Sequence, residues 1–407
     1  MAHPCPTVFA LNTLQPVSTL TASSDGGRWF LLDAIKALGC LMIVLHHLSV
    51  YSPMFDRVLL SAPPQLAVLF NHGRLAVQAF LVVGGFLTAG QLLRAVPVQA
   101  QHLPLSFSVS GLLSKRFLRL ATPLMAALTF TVIVTALVRP WFPHSSLSQP
   151  PSLWSMVVHM LLLQDLLGVQ ALSAGIWYVS IDFQLFAIAL ASVWLAGQLK
   201  RWQPQWKLRS LMLWLWFGLA TMSLMWWNRQ VNMDVEGLYF LGSYGLGMLA
   251  YRVRLSRITL KGWGIIFMLG FVAFWLEPRL RMALAWIIAL LLAAWPHVAA
   301  TPAGNATTRF LSRAVAHLAQ QSYSIFLAHF AVSLMVSALW FYAAWQAPWI
   351  NLLGMGLSVM LSLWVGDIVY RQVESQPPTW RRLIMWQATF AFSGLAVMAW
   401  TGFSSPL

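Results

Sequence analysis

Charged side chains are scarce in this sequence: Asp, Glu, Lys and Arg together make up 9% of its 407 residues. A typical soluble domain carries about 25% of these residues, which cover the surface that faces water. Because 59% of the residues are hydrophobic, so few charges exclude a water-soluble globular protein of this length. Lipid is the solvent that suits such a chain, and the predicted fold is an all-α polytopic membrane protein.

Cysteine is equally rare, since Cys5 and Cys40 are the two that occur. Their number and separation give neither a disulfide framework nor a Cys-x-x-Cys metal-binding spacing. His46 and His47 are adjacent, and neighbouring side chains on a helix point about 100° apart, so the two do not readily chelate one ion. We therefore expect no metal cofactor.

Long apolar segments recur along the chain and predict about 10–11 transmembrane helices. The eleven candidate spans are residues 30–51, 75–93, 118–138, 176–196, 209–227, 235–253, 261–277, 281–299, 322–346, 348–370 and 383–402. Trp154–Val169 is also apolar, but it is short and contains His159 and Asp165, which favours a re-entrant or interfacial helix.

The domain organisation follows from the same pattern. Residues 1–27 are polar and rich in Ser, Thr and Pro, which predicts a flexible cytoplasmic tail rather than a signal peptide. Residues 28–382 form the predicted transmembrane domain, and residues 383–407 add a last span and a short outer tail.

The basic residues are distributed unevenly between the predicted loops. With the amino terminus in the cytoplasm, 18 of the 25 Lys and Arg residues lie on the cytoplasmic side, and Lys36 lies within a span. The opposite side receives Arg57, Arg74, Arg139, Arg229, Arg279 and Arg281. This asymmetry follows the positive-inside rule and predicts a cytoplasmic amino terminus. It also explains the net charge of +15 without a nucleic-acid partner.

Four ionisable side chains fall within the first predicted span: Asp33, Lys36, His46 and His47. A charged side chain in the bilayer costs at least about 2.5–3.5 kcal/mol, so each is a candidate for function. Lys36 and His47 share one helix face, because eleven positions give about 20° of net rotation and ~16 Å of rise. The structural alternative is that Lys36 extends to the inner interface beside Asp33, while His47 marks the outer boundary.

Three further spans contain ionisable groups. Asp182, early in the fourth span, is expected at the depth of His47, where a carboxylate would orient the imidazole. A helix-packing carboxylate is the alternative for Asp182. His329 is expected about a third of the way into its span from the cytoplasm, and Asp367 near the inner end of the tenth. Both are either functional groups or satisfied polar groups of the bundle core.

Five segments form an ordered set along the chain. The first span reads Leu-Asp-Ala-Ile-Lys-Ala-Leu from Leu32, and ten residues separate Lys36 from His47. The other four are Phe80–Leu87, Lys115–Leu120 with Pro123 after it, Trp177–Gln184 and Ser322–His329. Glu374 follows near the end, after Tyr370 and Arg371.

This set resembles the integral-membrane acyltransferase-3 family, whose first span opens on Leu-Asp-Gly-Leu-Arg-Ala-Leu and continues to a histidine after the same spacing. Lys36 replaces the commoner arginine, which keeps the charge but loses the bidentate fork. Gly84 and Asp182 replace a serine and a glutamate of the family pattern, and Ser375 departs from its closing Glu-Arg-Pro.

The resemblance implies an O-acyltransferase that takes an acyl group, commonly acetyl, from cytoplasmic acyl-CoA. The acceptor is a hydroxyl of an extracytoplasmic or lipid-linked carbohydrate, and the expected location is the bacterial inner membrane. His47 is the expected base toward the hydroxyl, oriented by Asp182, although an acyl-histidine relay is an alternative. Donor-binding or structural roles are expected for Lys36, Asp33, Lys115, Arg116, Arg119, Ser322, Tyr323, Ser324 and His329.

Two other classes of protein would also place charges within the membrane. A transporter or lipid-linked glycan flippase needs a polar cavity, and a non-catalytic scaffold or sensor is the third possibility. The ordered set favours acyl transfer. The segments 52–74, 139–175 and 228–234 are expected to recognise the acceptor, although none has a diagnostic signature.

Overall fold

The computed structural model describes residues 30–61, 65, 67–68, 72–255, 260–295 and 306–403, and the predicted tail 1–27 lies outside them. The described residues form thirteen α-helices and no β-strand. In chain order these are α1 (Phe30–Tyr51), α2 (Pro53–Leu59), α3 (Ala76–Ala95), α4 (Val109–Val138), α5 (Leu153–Met160), α6 (Trp177–Trp202), α7 (Leu208–Met225), α8 (Gly237–Leu255), α9 (Leu260–Leu276), α10 (Leu280–Ala294), α11 (Ala306–Tyr342), α12 (Pro348–Val369) and α13 (Trp380–Phe403).

Each of the eleven predicted spans corresponds to one of these helices. Eight helices are long and apolar enough to cross a membrane: α1, α3, α4, α6, α7, α11, α12 and α13. The apolar helices α9 and α10 are shorter, with 17 and 15 residues. Helix α8 packs against α3, α7 and α10, and most of its side chains are buried. The predicted all-α polytopic membrane fold is confirmed.

Two helices begin earlier than the apolar segments that predicted them. Helix α4 begins at Val109, where the Ser108 hydroxyl accepts a hydrogen bond of 3.0 Å from the amide of Gly111. Its first turns are therefore helical although they contain Lys115 and Arg116. Helix α11 begins at Ala306 rather than at residue 322 and is 37 residues long. Both helices begin with charged and polar residues, so hydropathy does not predict where they start.

The segment after α5 does not cross the bundle. Helix α5 has eight residues, and turns connect it to α6. Its buried His159 accepts a hydrogen bond of 3.2 Å from the amide of Leu172, while Gln164 donates one of 2.6 Å to the hydroxyl of Ser180 on α6. These contacts fold residues 161–176 back against α6, and we call these residues the re-entrant segment.

This re-entrant segment places the start of α6 deep in the bundle. Arg116 of α4 binds Asp182 of α6, and α4 continues for 22 residues beyond Arg116, or ~33 Å. Helix α6 begins five residues before Asp182, or ~8 Å. The outer end of α4 therefore extends roughly 25 Å further than the start of α6, measured along the helix axis.

Helices α3 and α8 approach each other backbone to backbone. A Cβ atom on Gly85 of α3 would overlap the carbonyl oxygen of Tyr244 on α8. Likewise, a Cβ atom on Gly247 of α8 would overlap the carbonyl oxygen of Val82 on α3. Small residues allow close packing between membrane helices, and here glycine is required on both sides of the crossing.

We expect Gly85→Ala to lower the melting temperature in detergent, because the added methyl group forces the two helices apart. Overpacking of this kind costs about 1–3 kcal/mol, which exceeds the gain in helix propensity. Gly218→Ala is the matched control, since nothing lies within 4 Å of a Cβ built there. Equal melting temperatures for the two variants would contradict the role of Gly85.

Candidate active site

His47 of α1 contacts His329 of α11. Nδ1 of His47 lies 2.7 Å from Nε2 of His329, and the rings stack with 4.9 Å between centroids and 18° between planes. The shallow depth expected for His329 is wrong, because α11 begins sixteen residues before the predicted span. The additional turns at its start bring His329 to the depth of His47.

Aromatic and backbone groups enclose this histidine pair. The ring of Tyr51 lies edge-on to His47 with 5.5 Å between centroids, and it lies at the same distance from Phe330. Gly175 of the re-entrant segment has φ +80, and a Cβ atom there would lie 2.9 Å from Cε1 of His47. His329 is fully buried and His47 half-buried, so His47 is the member of the pair that remains accessible.

Asp182 binds Arg116 and not His47. Nε of Arg116 lies 3.0 Å from Oδ2 of Asp182, and Nη2 lies 2.6 Å from Oδ1 and 2.5 Å from Oδ2. The guanidinium also lies over the ring of Phe186, 5.3 Å from its centroid. Both carboxylate oxygens accept hydrogen bonds from Arg116. The prediction that Asp182 orients His47 is therefore wrong.

Arg116 was expected in a cytoplasmic loop, as one of the charges that set topology. The structure places it in α4, where its side chain is 24% exposed beside an Asp182 side chain that is 7% exposed. A buried charge needs a partner with good geometry, and a bidentate carboxylate provides one. The deep start of α6 brings Asp182 within reach of Arg116.

A second polar cluster lies further along the bundle. The hydroxyl of Ser324 on α11 donates a hydrogen bond of 2.6 Å to Oε2 of Glu374, which ends the π-helical turn after α12. Lys36 and Arg119 are close enough to Glu374 to interact electrostatically, and Asp33 acts on Lys36 in the same way. We call Lys36, Arg119, Ser324 and Glu374 the inner cluster.

The other predicted donor-side residues lie around this cluster. Tyr323 donates a hydrogen bond of 2.8 Å to the carbonyl of Leu120 on α4, so it joins α11 to α4. Ser322 donates one of 2.9 Å to the carbonyl of Ala319 within its own helix. Lys115 is exposed on the first turns of α4. The side chains of these three residues therefore do not form one contact network.

The inner cluster and the histidine pair occupy different depths. Ser324 precedes His329 by five positions on α11, which is about 8 Å of rise. Lys36 precedes His47 by eleven positions on α1, which is ~16 Å. Lys36, Arg116 and His47 are half-buried rather than enclosed. The arrangement therefore separates the cations of the inner cluster from the imidazole of His47 along the helix axes.

Sequence reasoning underestimated two contributors. The sequence drew attention to Glu374 only through its place in the ordered set of segments. The π-helical turn brings its carboxylate near the cations Lys36 and Arg119. Gly175 carried no signal beyond its position two residues before Trp177.

Asp367 accepts hydrogen bonds from Gln321 at 2.6 Å and Arg371 at 3.0 Å, as expected for a satisfied polar group.

Comparison with known proteins gives one match. A family profile described as an acyltransferase domain matches residues 30–371. The matched region runs from the start of α1 into the π-helical turn and includes both histidines, Arg116 and Asp182. No curated protein and no solved structure matches the chain.

We expect Gly175→Ala to reduce activity at His47 at least tenfold, because the new methyl group would press against its imidazole. Gly168→Ala is the matched control: Gly168 also has positive φ, at +63, but nothing lies within 4 Å of its Cβ position. Both variants carry a backbone strain of roughly 1–2 kcal/mol. Equal activities in membranes would show that the contact with His47 is unimportant.

Asp182→Asn should lower both the melting temperature and the activity, because Arg116 keeps its charge and loses its counter-ion. Breaking a buried ion pair costs about 3–5 kcal/mol, and less is expected here because the Arg116 side chain is 24% exposed. Asp182→Glu, which retains the carboxylate, is the control. A wild-type melting curve for Asp182→Asn would refute the importance of the pair.

Proposed function

Since the chain belongs to the acyltransferase-3 family of membrane proteins, we propose that it transfers an acyl group from cytoplasmic acyl-CoA to a carbohydrate hydroxyl. The donor we propose is acetyl-CoA, and the acceptor is an extracytoplasmic or lipid-linked carbohydrate. The observation that carries the proposal is the placement of an accessible imidazole, His47, ~16 Å along α1 from Lys36 of the inner cluster. We propose the bacterial inner membrane as its location, with the amino terminus in the cytoplasm.

The inner cluster suits the phosphate end of the donor. Lys115 and Arg119 are exposed on the first turns of α4. Lys36 is half-buried and close enough to Arg119 to interact with it electrostatically. Such cations attract the phosphates of CoA from solution. The phosphopantetheine arm is long enough to cover the distance from Lys36 to His47, so the thioester can reach the imidazole while the phosphates stay at the inner cluster.

The chemical step uses His47 as base and then as acid. His47 accepts the proton of the acceptor hydroxyl while that oxygen attacks the thioester carbonyl carbon. The carbon–sulfur bond then breaks, and the thiolate of CoA takes the proton from the imidazolium. The products are the acyl ester and CoA with a free thiol, and His47 returns to its neutral form.

Arg116 and Asp182 form an ion pair that we propose acts on the donor. The guanidinium of Arg116 is fixed by the carboxylate, while its side chain remains 24% exposed. A fixed cation near a developing oxyanion stabilises the transition state without reorganising. We therefore propose that Asp182 holds Arg116, and that Arg116 faces the donor.

His47→Gln should reduce acyl transfer by about 10²–10⁴-fold, the usual contribution of general acid–base catalysis. The measurement is transfer of label from radiolabelled acetyl-CoA to outer glycans in membranes that contain equal amounts of inserted protein. His102→Gln, on the exposed segment before α4, serves as the control. Full activity of His47→Gln would refute the mechanism.

Lys36→Ala should raise the KM for acetyl-CoA more than it lowers kcat, because Lys36 lies with the inner cluster and far from the reacting carbonyl. Lys36→Arg retains the charge and should lose less. Steady-state kinetics over a range of donor concentrations separate the two parameters. An equal loss in both variants would argue against a role based on charge.

The same labelling experiment separates acyl transfer from flipping of a lipid-linked glycan. An acyltransferase leaves label on the glycan, whereas a flippase moves the glycan unmodified. Mass spectrometry of surface glycans with and without the protein identifies the acyl group from the added mass. Unlabelled glycans, with no mass added by the active protein, would overturn the proposed function.

A further inference from the structure

The two ring nitrogens of His47 have different surroundings. The hydrogen bonds that the ring of His329 makes determine which nitrogen of His47 carries the hydrogen. Nδ1 of His47 faces Nε2 of His329 at 2.7 Å. On the other side of the His329 ring, Nδ1 lies 2.7 Å from the carbonyl oxygen of Phe326 and 3.3 Å from that of Ile325. Both of these backbone oxygens belong to α11, one turn before His329.

The direction of each hydrogen bond follows from the chemistry of the partners. A carbonyl oxygen accepts hydrogen bonds and cannot donate, so Nδ1 of His329 must carry the hydrogen. A neutral imidazole has one N–H group, which leaves Nε2 of His329 as an acceptor. Nδ1 of His47 must then be the donor. The remaining nitrogen of His47, Nε2, carries the free lone pair.

The opposite assignment is unfavourable. If Nε2 of His329 carried the hydrogen, the lone pair on its Nδ1 would face the carbonyl of Phe326 at 2.7 Å with no hydrogen between them. His329 is fully buried, so water cannot relieve that repulsion. Helix α11 is continuous through this region, and the carbonyls are therefore fixed in place.

We propose that His329 is a positioning residue that holds His47 in the tautomer protonated at Nδ1, which leaves Nε2 as its basic nitrogen. The proposal rests on the proposed function for its catalytic consequence, but the tautomer itself can be observed without activity. It also assigns the attacking atom in an acyl-histidine relay, because the nitrogen that accepts a proton or an acyl group is the same.

This arrangement differs from one in which a carboxylate orients the histidine. Asp182, the carboxylate that the sequence suggested as the partner of His47, is bound by Arg116. The titratable side chains around the His47 ring are His46, Tyr51 and His329. None of these side chains is a carboxylate. A neutral partner stabilises an imidazolium less than a carboxylate does, which favours rapid return of the proton to the leaving thiolate.

The direct test is solid-state ¹⁵N NMR of the full chain, labelled at histidine, in lipid bilayers at neutral pH. The chain has 10 histidines, so difference spectra against His47→Gln and His329→Gln are needed for assignment. We expect both residues to be neutral and protonated at Nδ1. In His329→Phe, the signal of His47 should divide between the two tautomers. A His47 that is protonated mainly at Nε2 in the wild type would overturn the proposal.

The kinetic test compares two replacements of His329. His329→Phe keeps a ring of similar size but offers no acceptor, and we expect kcat to fall about 100-fold with little change in the KM for acetyl-CoA. His329→Gln offers a carbonyl oxygen to Nδ1 of His47 and should recover part of that loss. His317→Phe, an exposed histidine on the same helix, is the control.

The outcomes separate this inference from the proposed function. Acyl transfer with an undiminished kcat in His329→Phe would overturn the positioning role and leave the acyltransferase standing. A wild-type protein that transfers no acyl group, yet shows His47 protonated at Nδ1, would support the tautomer and overturn the proposed function alone. If both variants lose activity equally but the His47 tautomer is unchanged in His329→Phe, the positioning role is wrong.

Discussion

The hydrocarbon interior of a bilayer offers no water to a polar side chain, and the candidate site is organised by that constraint. A deeply placed charged or polar group is stabilised by a partner, since an unpaired one costs several kcal/mol. His47 meets His329, Arg116 meets Asp182, and Ser324 meets Glu374. These pairs join α1 to α11, α4 to α6, and α11 to the turn after α12. The interactions that satisfy the polar groups are thus also the ones that position the functional side chains.

Departures from regular transmembrane helices set the depth of the site. Because the re-entrant segment precedes α6, that helix begins deep in the bundle, and Asp182 lies at the level of Arg116. The same segment places Gly175 against His47. The π-helical turn carries Glu374 to Ser324, and such turns often occur at functional sites. Without these two features the bundle would have the same helices, but its charges would lie at other depths.

The resulting site is polar along its length in a defined order. Cations and a guanidinium bound to Asp182 lie toward the end that the basic residues assign to the cytoplasm, and an imidazole lies further along, in contact with a second imidazole. That order matches a donor that is anionic at one end and reactive at the other. In the proposed mechanism, the neutral partner of His47 orients the base without fixing a permanent charge beside it.

The sequence by itself determined the membrane environment, the helical fold and the positions of eleven apolar segments, because hydropathy and helical spacing are local properties. It could not assign Asp182 to Arg116 or bring His329 to His47. Those pairings depend on where helices begin, and α4 and α11 begin within polar sequence that hydropathy excludes. They depend also on the re-entrant fold of residues 161–176, which long-range hydrogen bonds hold in place. The tertiary structure therefore decided which polar groups meet, because a partner across the bundle is set by relative depth and not by distance along the chain.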